Sequence, residues 1–310
     1  MPCADGYLAQ PAFSCIPQES RLIGCFIIYS TLYRYWHLHD GKYILKISTA
    51  ALDEQTKQDR VKSLRLTAKI HSSGSFAVSG CEYHYVMLDF LQGDELWSVA
   101  QSLTDKEQYS IGKEIAQFLN ELHSITDDYY DIGHYIPTVP RSKKSWKDGH
   151  LEYAAILKKE LAGVTLELNS RQTVTEAFDY IHANIDSLEY QEGARLLHND
   201  LHPKNIIVHE GKLAGVIDWE CSQFGEADFE LSHLFHWCIY PSVQENNLEI
   251  LLKSAIENSR AIPDMCKRMT IYQLEHELNQ IIWRGKKQEA ERIHRINGWL
   301  NGKAAAFLKN

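Results

Sequence analysis

The stretch that decides the fold reads Leu196-Leu-His-Asn-Asp-Leu-His-Pro-Lys-Asn-Ile-Ile-Val208, followed by Gly215-Val-Ile-Asp-Trp-Glu220. Asp200 lies in the loop after a short apolar run, and Asn205 comes five residues later, where the next apolar run begins. Asp218 ends the returning run, and Glu210-Gly211 between the two runs predicts a hairpin turn. Such a hairpin would bring Asn205 and Asp218 to neighbouring strand ends, on the side where Asp200 lies.

These side chains suit phosphoryl transfer, which needs a divalent cation on the phosphates and a group that orients the attacking hydroxyl. Mg²⁺ takes few protein ligands and prefers oxygen, so Asn205 and Asp218 are the candidate metal ligands. Asp200 is then the candidate base for the hydroxyl proton. Lys46 is the candidate contact for nucleotide phosphates. Leu45 and Ile47 would share one strand face and leave Lys46 on the other, which fits a solvated and a cleft-facing lysine equally well.

At these residues the chain resembles the aminoglycoside phosphotransferase family of the protein-kinase-like fold. His198-Asn-Asp200-x-x-x-x-Asn205 resembles its catalytic loop, and Ile217-Asp218-Trp219-Glu220 its metal-binding segment. Phe224 to Leu231 is similar to the segment that follows, and Leu119 to Ile125 to a Leu-His helix end of the family. The resemblance spans roughly residues 24–240.

The resemblance implies an α+β, two-lobed fold: a strand-rich nucleotide-binding lobe at 1–92 and a mainly helical catalytic and substrate-binding lobe at 93–310. It also implies the cofactors, ATP or GTP with Mg²⁺, and one role for each site residue. Lys46 would contact the α- and β-phosphates, Asp200 would be the base, and Asn205 and Asp218 would hold Mg²⁺. His198 would pack beneath the loop. The remaining nucleotide contacts would be Ser30, Thr31, Asp89, Phe90 and Leu91, the last three through backbone groups near adenine.

The chain departs from the family pattern in three places. A G-x-G-x-x-G loop is absent, and only Gly24 lies near its expected position. The carboxylate partner of Lys46 has two candidates, Glu54 and Asp59. Glu220 and Glu226 are the candidates for facing a cationic acceptor. An amino-sugar is the favoured acceptor; choline, homoserine, a thiosugar, a macrolide, or a non-catalytic binding role are the alternatives.

Charge separates the two parts of the chain. The 310 residues carry a net charge of −9. Residues 1–92 hold 9 basic and 8 acidic side chains, so the acid excess belongs to residues 93–310. This excess argues against a nucleic-acid partner and favours a cationic small molecule. Seven cysteines without a C-x-x-C favour the reducing cytoplasm, and no apolar stretch is long enough for a membrane span.

Residue patterns place strands first and helices later. Strands are predicted at 25–29, 32–36, 43–47 and 83–90, with a helix-compatible stretch at 52–70 and a hinge at Gly93. Thr104 with Glu107 predicts a capping box that opens a helix, and Ser242 with Glu245 predicts a second one. Further helices are predicted at 148–162 and 171–187, and strands at 206–208 and 213–217.

Overall fold

The computed structural model describes residues 33–37, 42–48, 59–78, 80–131, 145–239 and 247–308. The chain divides into two units, one rich in strands and one mainly helical. The first unit comprises Met1–Gly93 with Ala214–Glu220, and the second comprises Asp94–Leu213 with Cys221–Asn310. Gly93, at the border, has a φ of 135°, a backbone conformation that only glycine adopts without strain.

An antiparallel four-stranded sheet, in the order β1–β2–β4–β3, forms the first unit. Its strands are β1 (Tyr33–His37), β2 (Tyr43–Ser48), β3 (Ile70–Val78) and β4 (Cys81–Asp89). The central strands pair with Tyr43 opposite Asp89, which sets the register of the sheet. Leu45 and Ile47 are buried in the core of this unit, and Lys46 lies between them in β2, directly opposite Val86.

The strands predicted at 32–36, 43–47 and 83–90 are confirmed as β1, β2 and β4. The helix predicted at 52–70 is wrong over its described part, where only residues 59–61 are helical. Strand β3 was not predicted, because Ser72, Ser73 and Gly74 give it little strand propensity. Its pairing with β4 holds this edge strand in place. The strand predicted at 25–29 lies outside the described residues.

The segment Ala214–Glu220 joins the first unit through backbone pairing. Val216 donates its N–H to the carbonyl of Leu66 at 2.8 Å, and it forms a parallel bridge with Thr67. Gly215 permits this close approach, since a Cβ there would overlap the side chain of Leu91. The backbone of Asp218 is thereby fixed relative to the sheet that carries Lys46.

The second unit consists mainly of helices, joined by short strands. The helices are α1 (Leu96–Val99), α2 (Asp105–Leu122), α3 (Trp146–Leu161), α4 (Leu168–Asn184), α5 (Ala227–Ile239), α6 (Glu249–Glu257), α7 (Met265–Arg284), α8 (Glu289–Leu300) and α9 (Lys303–Leu308). The strands are β5 (Asp94–Glu95), β6 (Arg195–Leu197), β7 (Ile206–His209), β8 (Lys212–Val216, which ends in the first unit) and β9 (Gln223–Gly225). Among the described helices, none has the length and apolar character that crossing a bilayer requires.

Local sequence signals in this unit are confirmed. Thr104 caps α2 and forms the predicted capping box with Glu107. The predicted apolar stripe on α2 is buried: Ile111, Ile115, Phe118, Leu119 and Leu122. Helices α3 and α4 and strands β7 and β8 lie at the predicted places. Glu210 and Gly211 both have positive φ, as a tight hairpin turn requires. The capping box at Ser242 lies outside the described residues.

We expect Gly112→Ala to destabilise the protein. Gly112 lies in α2 against α6, where a Cβ would overlap the Leu251 carbonyl oxygen and lie 2.8 Å from the Ser254 Cβ. Helix propensity would favour alanine by about 1 kcal/mol. Because the clash is with backbone, the helices must separate, and we expect a net loss of about 2 kcal/mol in the free energy of unfolding.

Urea denaturation followed by circular dichroism measures this loss. Gly163→Ala is the matched control, because its Cβ would lie 3.4 Å from its nearest neighbour, the Glu160 carbonyl oxygen. Equal stabilities for the two variants would show that α2 and α6 do not pack through Gly112.

Candidate active site

The loop between β6 and β7 carries the predicted catalytic residues and belongs entirely to the second unit. Asn199 takes a left-handed conformation, with a φ of 62°, which turns the chain sharply before Asp200. His198 is fully buried, and its Nδ1 accepts the N–H of Asp200 at 3.3 Å. The imidazole therefore packs under the loop and fixes its turn, as the resemblance implied.

A buried carboxylate, Glu230 on α5, supports this loop from below. Its oxygens accept the N–H of His198 at 2.5 Å and that of Asn199 at 3.1 Å. Burial raises the pKa of Glu230 to about 8, against the two hydrogen bonds, which lower it. The sequence interpretation missed this role, although Glu230 belongs to the acidic segment that follows Asp218.

Asp200 and Asn205 are brought together as the spacing predicted. The Asn205 amide nitrogen donates to the Asp200 backbone carbonyl at 3.0 Å and to its Oδ2 at 3.3 Å. Asn205 is buried, whereas the Asp200 side chain is 35% exposed and accessible to a substrate. Because these bonds use the amide nitrogen, the Asn205 carbonyl oxygen is the atom suited to a metal.

Aromatic side chains surround the far end of the loop. The His202 ring lies 4.9 Å from that of Trp237, and Trp237 meets Trp97 edge to face at 5.5 Å. The Lys204 ammonium lies 5.8 Å from the ring centre of Trp97 and 5.5 Å from that of Trp237. Distances of this size indicate cation–π attraction. The backbone N–H of Trp97 also donates to the Pro203 carbonyl at 3.1 Å, which ties α1 to the loop.

Lys46 and Asp218 meet within the first unit. The Lys46 ammonium is 1% exposed and lies 2.9 Å from Asp218 Oδ1 and 3.2 Å from Glu220 Oε2. The sequence pattern left two hypotheses open, a solvated and a cleft-facing Lys46. The burial of the side chain shows that the solvated hypothesis is wrong. Glu220, predicted to face an acceptor, instead pairs with Lys46.

Of the two predicted partners of Lys46, Asp59 is wrong, and Glu54 stays a prediction. Asp59 lies 3.8 Å from Lys62 in an exposed ion pair, and Glu54 lies outside the described residues. Asp218 and Glu220 provide the negative charge that a buried ammonium requires. The three side chains together carry one net negative charge, which leaves a place for a cation.

A cleft in the first unit coincides with the predicted adenine site. Its volume is about 510 Å³, and Lys42, Tyr43, Asp89, Phe90 and Gln92 line it. The Asp89 carboxylate is bound by His71 and by the N–H of Lys69. The Phe90 N–H donates to the Lys42 carbonyl at 2.7 Å.

These bonds limit how the predicted segment can contact a base. The Phe90 N–H is already bonded, and the predicted contacts of the Asp89, Phe90 and Leu91 backbone with a base stay a prediction. The side chain of Leu91 packs against Gly215. Ser30 and Thr31, the predicted phosphate contacts, lie outside the described residues.

Glu226 does not present its carboxylate to an acceptor, contrary to the sequence prediction. It is fully buried, and it accepts the hydroxyl of Tyr130 and the N–H groups of Glu192 at 3.0 Å and Gly193 at 3.3 Å. Its position is structural, because these donors take up a carboxylate that is itself fully buried. Asp228 is likewise buried, in a bidentate ion pair with Arg268 at 2.7 and 2.8 Å.

The oxygen donors fit Mg²⁺ better than a softer metal. Asn205 offers an amide oxygen, and Asp218 a carboxylate that is 27% exposed. Among residues placed by the structure, no three His, Cys, Asp or Glu side chains form a group that could hold a metal ion. Carboxylate and amide oxygens are each donors that suit Mg²⁺, which keeps several waters and phosphate oxygens as its other ligands.

The raised pKa of Glu230 predicts a specific dependence of the free energy of unfolding on pH. Its pKa is about 8 in the folded protein against an ordinary 4.5, so the unfolded chain releases this proton first. Stability is therefore fully present below about pH 4.5 and falls as pH rises through 8. At about 1.4 kcal/mol per pKa unit, the wild type should lose roughly 3 kcal/mol more than Glu230→Gln between pH 5 and pH 8.

Urea denaturation of the two proteins at both pH values measures this difference. Glu160→Gln, on the exposed end of α3, is the matched control and should follow the wild type. If all three proteins lose equal stability over this range, Glu230 is ionised in the folded protein and the raised pKa is wrong.

Comparison with known proteins identifies the family of the chain. The model of the family described as "Phosphotransferase enzyme family" matches residues 30–252, more than two thirds of the chain. No curated protein sequence gives a significant match.

Solved structures share the fold at low identity. A thermostable mutant of aminoglycoside phosphotransferase APH(4)-Ia, in ternary complex with AMP-PNP and hygromycin B, has a TM-score of 0.67 and 18% identity, with 93% of this chain and 95% of that chain covered. ADP-bound APH(2″)-Ib has a TM-score of 0.60 and 16% identity, with 97% of this chain and 100% of that chain covered. A GDP complex of a mutant aminoglycoside 2′-phosphotransferase-IIIa has a TM-score of 0.63 and 16% identity, with 94% of each chain covered. The chain therefore belongs to the phosphotransferase enzyme family and has the kinase-like fold of the aminoglycoside phosphotransferases.

Proposed function

We propose that this phosphotransferase is a kinase that transfers the γ-phosphate of ATP or GTP to a hydroxyl of a small molecule. The observation that carries the proposal is the pairing of Asp200 with Asn205 in a loop braced by a buried glutamate. Phosphoryl transfer depends on positioning and electrostatics more than on covalent chemistry. A rigid, partly exposed carboxylate is what orienting an acceptor hydroxyl requires.

Each site residue then has one role. Asp200 orients the hydroxyl and accepts its proton, and Lys46 contacts the nucleotide phosphates. Asn205 and Asp218 are the Mg²⁺ ligands; the ion, when bound, neutralises charge on the phosphates. The first unit would bind nucleotide, with the base in the cleft beside Asp89, and the second would bind the acceptor.

Lys46 has to exchange partners when nucleotide binds. In the structure its ammonium is held by Asp218 and Glu220. Phosphate oxygens are equivalent anionic partners, so Lys46 can keep a counter-charge while Asp218 turns to the cation. We assign Glu220 to holding Lys46 in this exchange, in place of acceptor binding.

The proposed acceptor is an aminoglycoside or a related amino-sugar. The relatives of known structure include complexes with hygromycin B and with streptomycin, and the second part of this chain carries the acid excess. A negative field attracts a cationic acceptor. If the acceptor is an antibiotic, its phosphorylation would serve resistance, and the free cysteines are compatible with a cytoplasmic site.

A small alcohol with an ammonium group, such as choline, is the second candidate. The observation in its favour is the pair Trp97 and Trp237, whose rings already hold the Lys204 ammonium. Aromatic faces of this kind bind alkylammonium groups. The assay also includes the other alternative acceptors, which are homoserine, a thiosugar and a macrolide. Non-catalytic nucleotide binding is a further possible outcome.

A nucleotide-consumption assay across these acceptors, with ATP and with GTP, tests the function. We expect Asp200→Asn to lower kcat by about 10³-fold on any active acceptor, because it removes the proton acceptor and retains shape. Asp179→Asn, an exposed aspartate on α4, is the control and should leave kcat unchanged. Full activity in Asp200→Asn would refute the assignment, and nucleotide binding without turnover on any acceptor would favour the binding-protein reading.

Lys46→Met should separate nucleotide binding from acceptor binding. It removes the ammonium that we propose for the phosphates, so we expect KM for the nucleotide to rise roughly 10-fold or more while KM for the acceptor stays within about twofold. Lys62→Met, exposed in the same unit, is the control. A nucleotide KM unchanged in Lys46→Met would contradict the role of Lys46.

A further inference from the structure

His202 lies two residues beyond Asp200, and its side chain is only 15% exposed. Its Nδ1 accepts the backbone N–H of Lys204 at 3.2 Å. A ring nitrogen that accepts a hydrogen bond carries no proton, so a neutral imidazole here has its proton on Nε2. The loop thereby selects one tautomer of His202.

The protonated nitrogen is turned toward the catalytic carboxylate. His202 Nε2 lies 3.5 Å from Asp200 Oδ2, the same oxygen that the Asn205 amide approaches at 3.3 Å. The separation is long for a hydrogen bond. Contacts of catalytic groups are often long in free enzymes and tighten in the substrate complex.

Aromatic packing holds the His202 ring in this orientation. Trp237 covers it at 4.9 Å with an interplanar angle of 44°, and Trp97 braces Trp237. The backbone N–H of Trp97 donates to the Pro203 carbonyl, so the backbone next to His202 is held as well. Reorienting the imidazole would therefore require the whole cluster to move.

We infer that His202 is a positioning residue for phosphoryl transfer, whose Nε2–H, together with the Asn205 amide, fixes the plane of the Asp200 carboxylate. The inference rests on the proposed function, in which Asp200 orients the acceptor hydroxyl. Two donors on Oδ2 define the direction of the carboxylate better than one, and a misplacement of about 1 Å can cost two orders of magnitude in rate.

Two substitutions separate the two bonds of the imidazole. In His202→Asn, the amide occupies the place of Nδ1, so its oxygen can still accept the Lys204 N–H but nothing reaches Asp200. In His202→Gln, the longer side chain places its amide nitrogen near the position of Nε2 and can donate to Asp200. We expect kcat to fall roughly 10- to 100-fold in His202→Asn, and to stay within about threefold of the wild type in His202→Gln. KM for the nucleotide should be unchanged in both.

The assay uses the full chain with whichever acceptor is active, and Asp200→Asn is run beside it. His182→Gln, an exposed histidine on α4, is the control for loss of an imidazole. If Asp200→Asn is impaired and His202→Asn is not, the positioning role is overturned and the function stands. If Asp200→Asn itself retains full activity, the proposed function is what fails. Equal impairment of His202→Asn and His202→Gln would also overturn the inference, since His202→Gln keeps the donor to Asp200 and His202→Asn does not.

A spectroscopic readout decides the tautomer without any acceptor. Nitrogen NMR of the wild-type protein labelled at histidine, with His202→Gln to assign the signal, should place the His202 proton on Nε2. A proton on Nδ1 would overturn the inference whatever the kinetics, because Nε2 could then not donate to Asp200.

Discussion

Two backbone N–H groups under the catalytic loop, those of His198 and Asn199, set the main constraint on the second unit. The left-handed turn at Asn199 aims both groups into the interior, where an unpaired donor would cost about 1–3 kcal/mol. Glu230 satisfies both with one carboxyl group, and so the start of α5 has to lie directly beneath the loop. The position of Asp200 is thus decided on α5 as much as in its own loop.

The acidic segment around α5 follows from the same constraint. Glu226, Asp228 and Glu230 are each at most 2% exposed, and each has its own donors. Arg268 on α7 binds Asp228 through two nitrogens and also donates to the carbonyls of Ser187 and Tyr190. Removing one partner from such a buried pair costs about 3–5 kcal/mol. These three acids therefore hold elements together, and the field available for a cationic acceptor has to come mainly from other carboxylates of the second unit.

Sequence reasoning succeeded where the signal is local. The five-residue spacing of Asp200 and Asn205, the Glu210-Gly211 turn and the Thr104 capping box are each set by bonds within a few residues. It failed where the structure or role of a residue depends on a partner that is distant in the sequence. Strand β3 lacks strand-forming residues and depends on β4, and the roles of Glu226 and Glu230 are set by donors at least 30 positions away along the chain. The partners of Lys46 lie more than 170 positions away.

The pairing of Lys46 explains why the segment Ala214–Glu220 belongs to the first unit. A buried ammonium needs a counter-charge, and Asp218 and Glu220 supply negative charge at 2.9 and 3.2 Å from Lys46. Backbone pairing of Val216 with Leu66 and Thr67 carries both carboxylates to Lys46. In the proposed function, phosphates would replace these carboxylates on the ammonium, and Asp218 would then turn toward a cation. The charges that hold Lys46 in its buried position would thus be the same ones that the proposed nucleotide site uses.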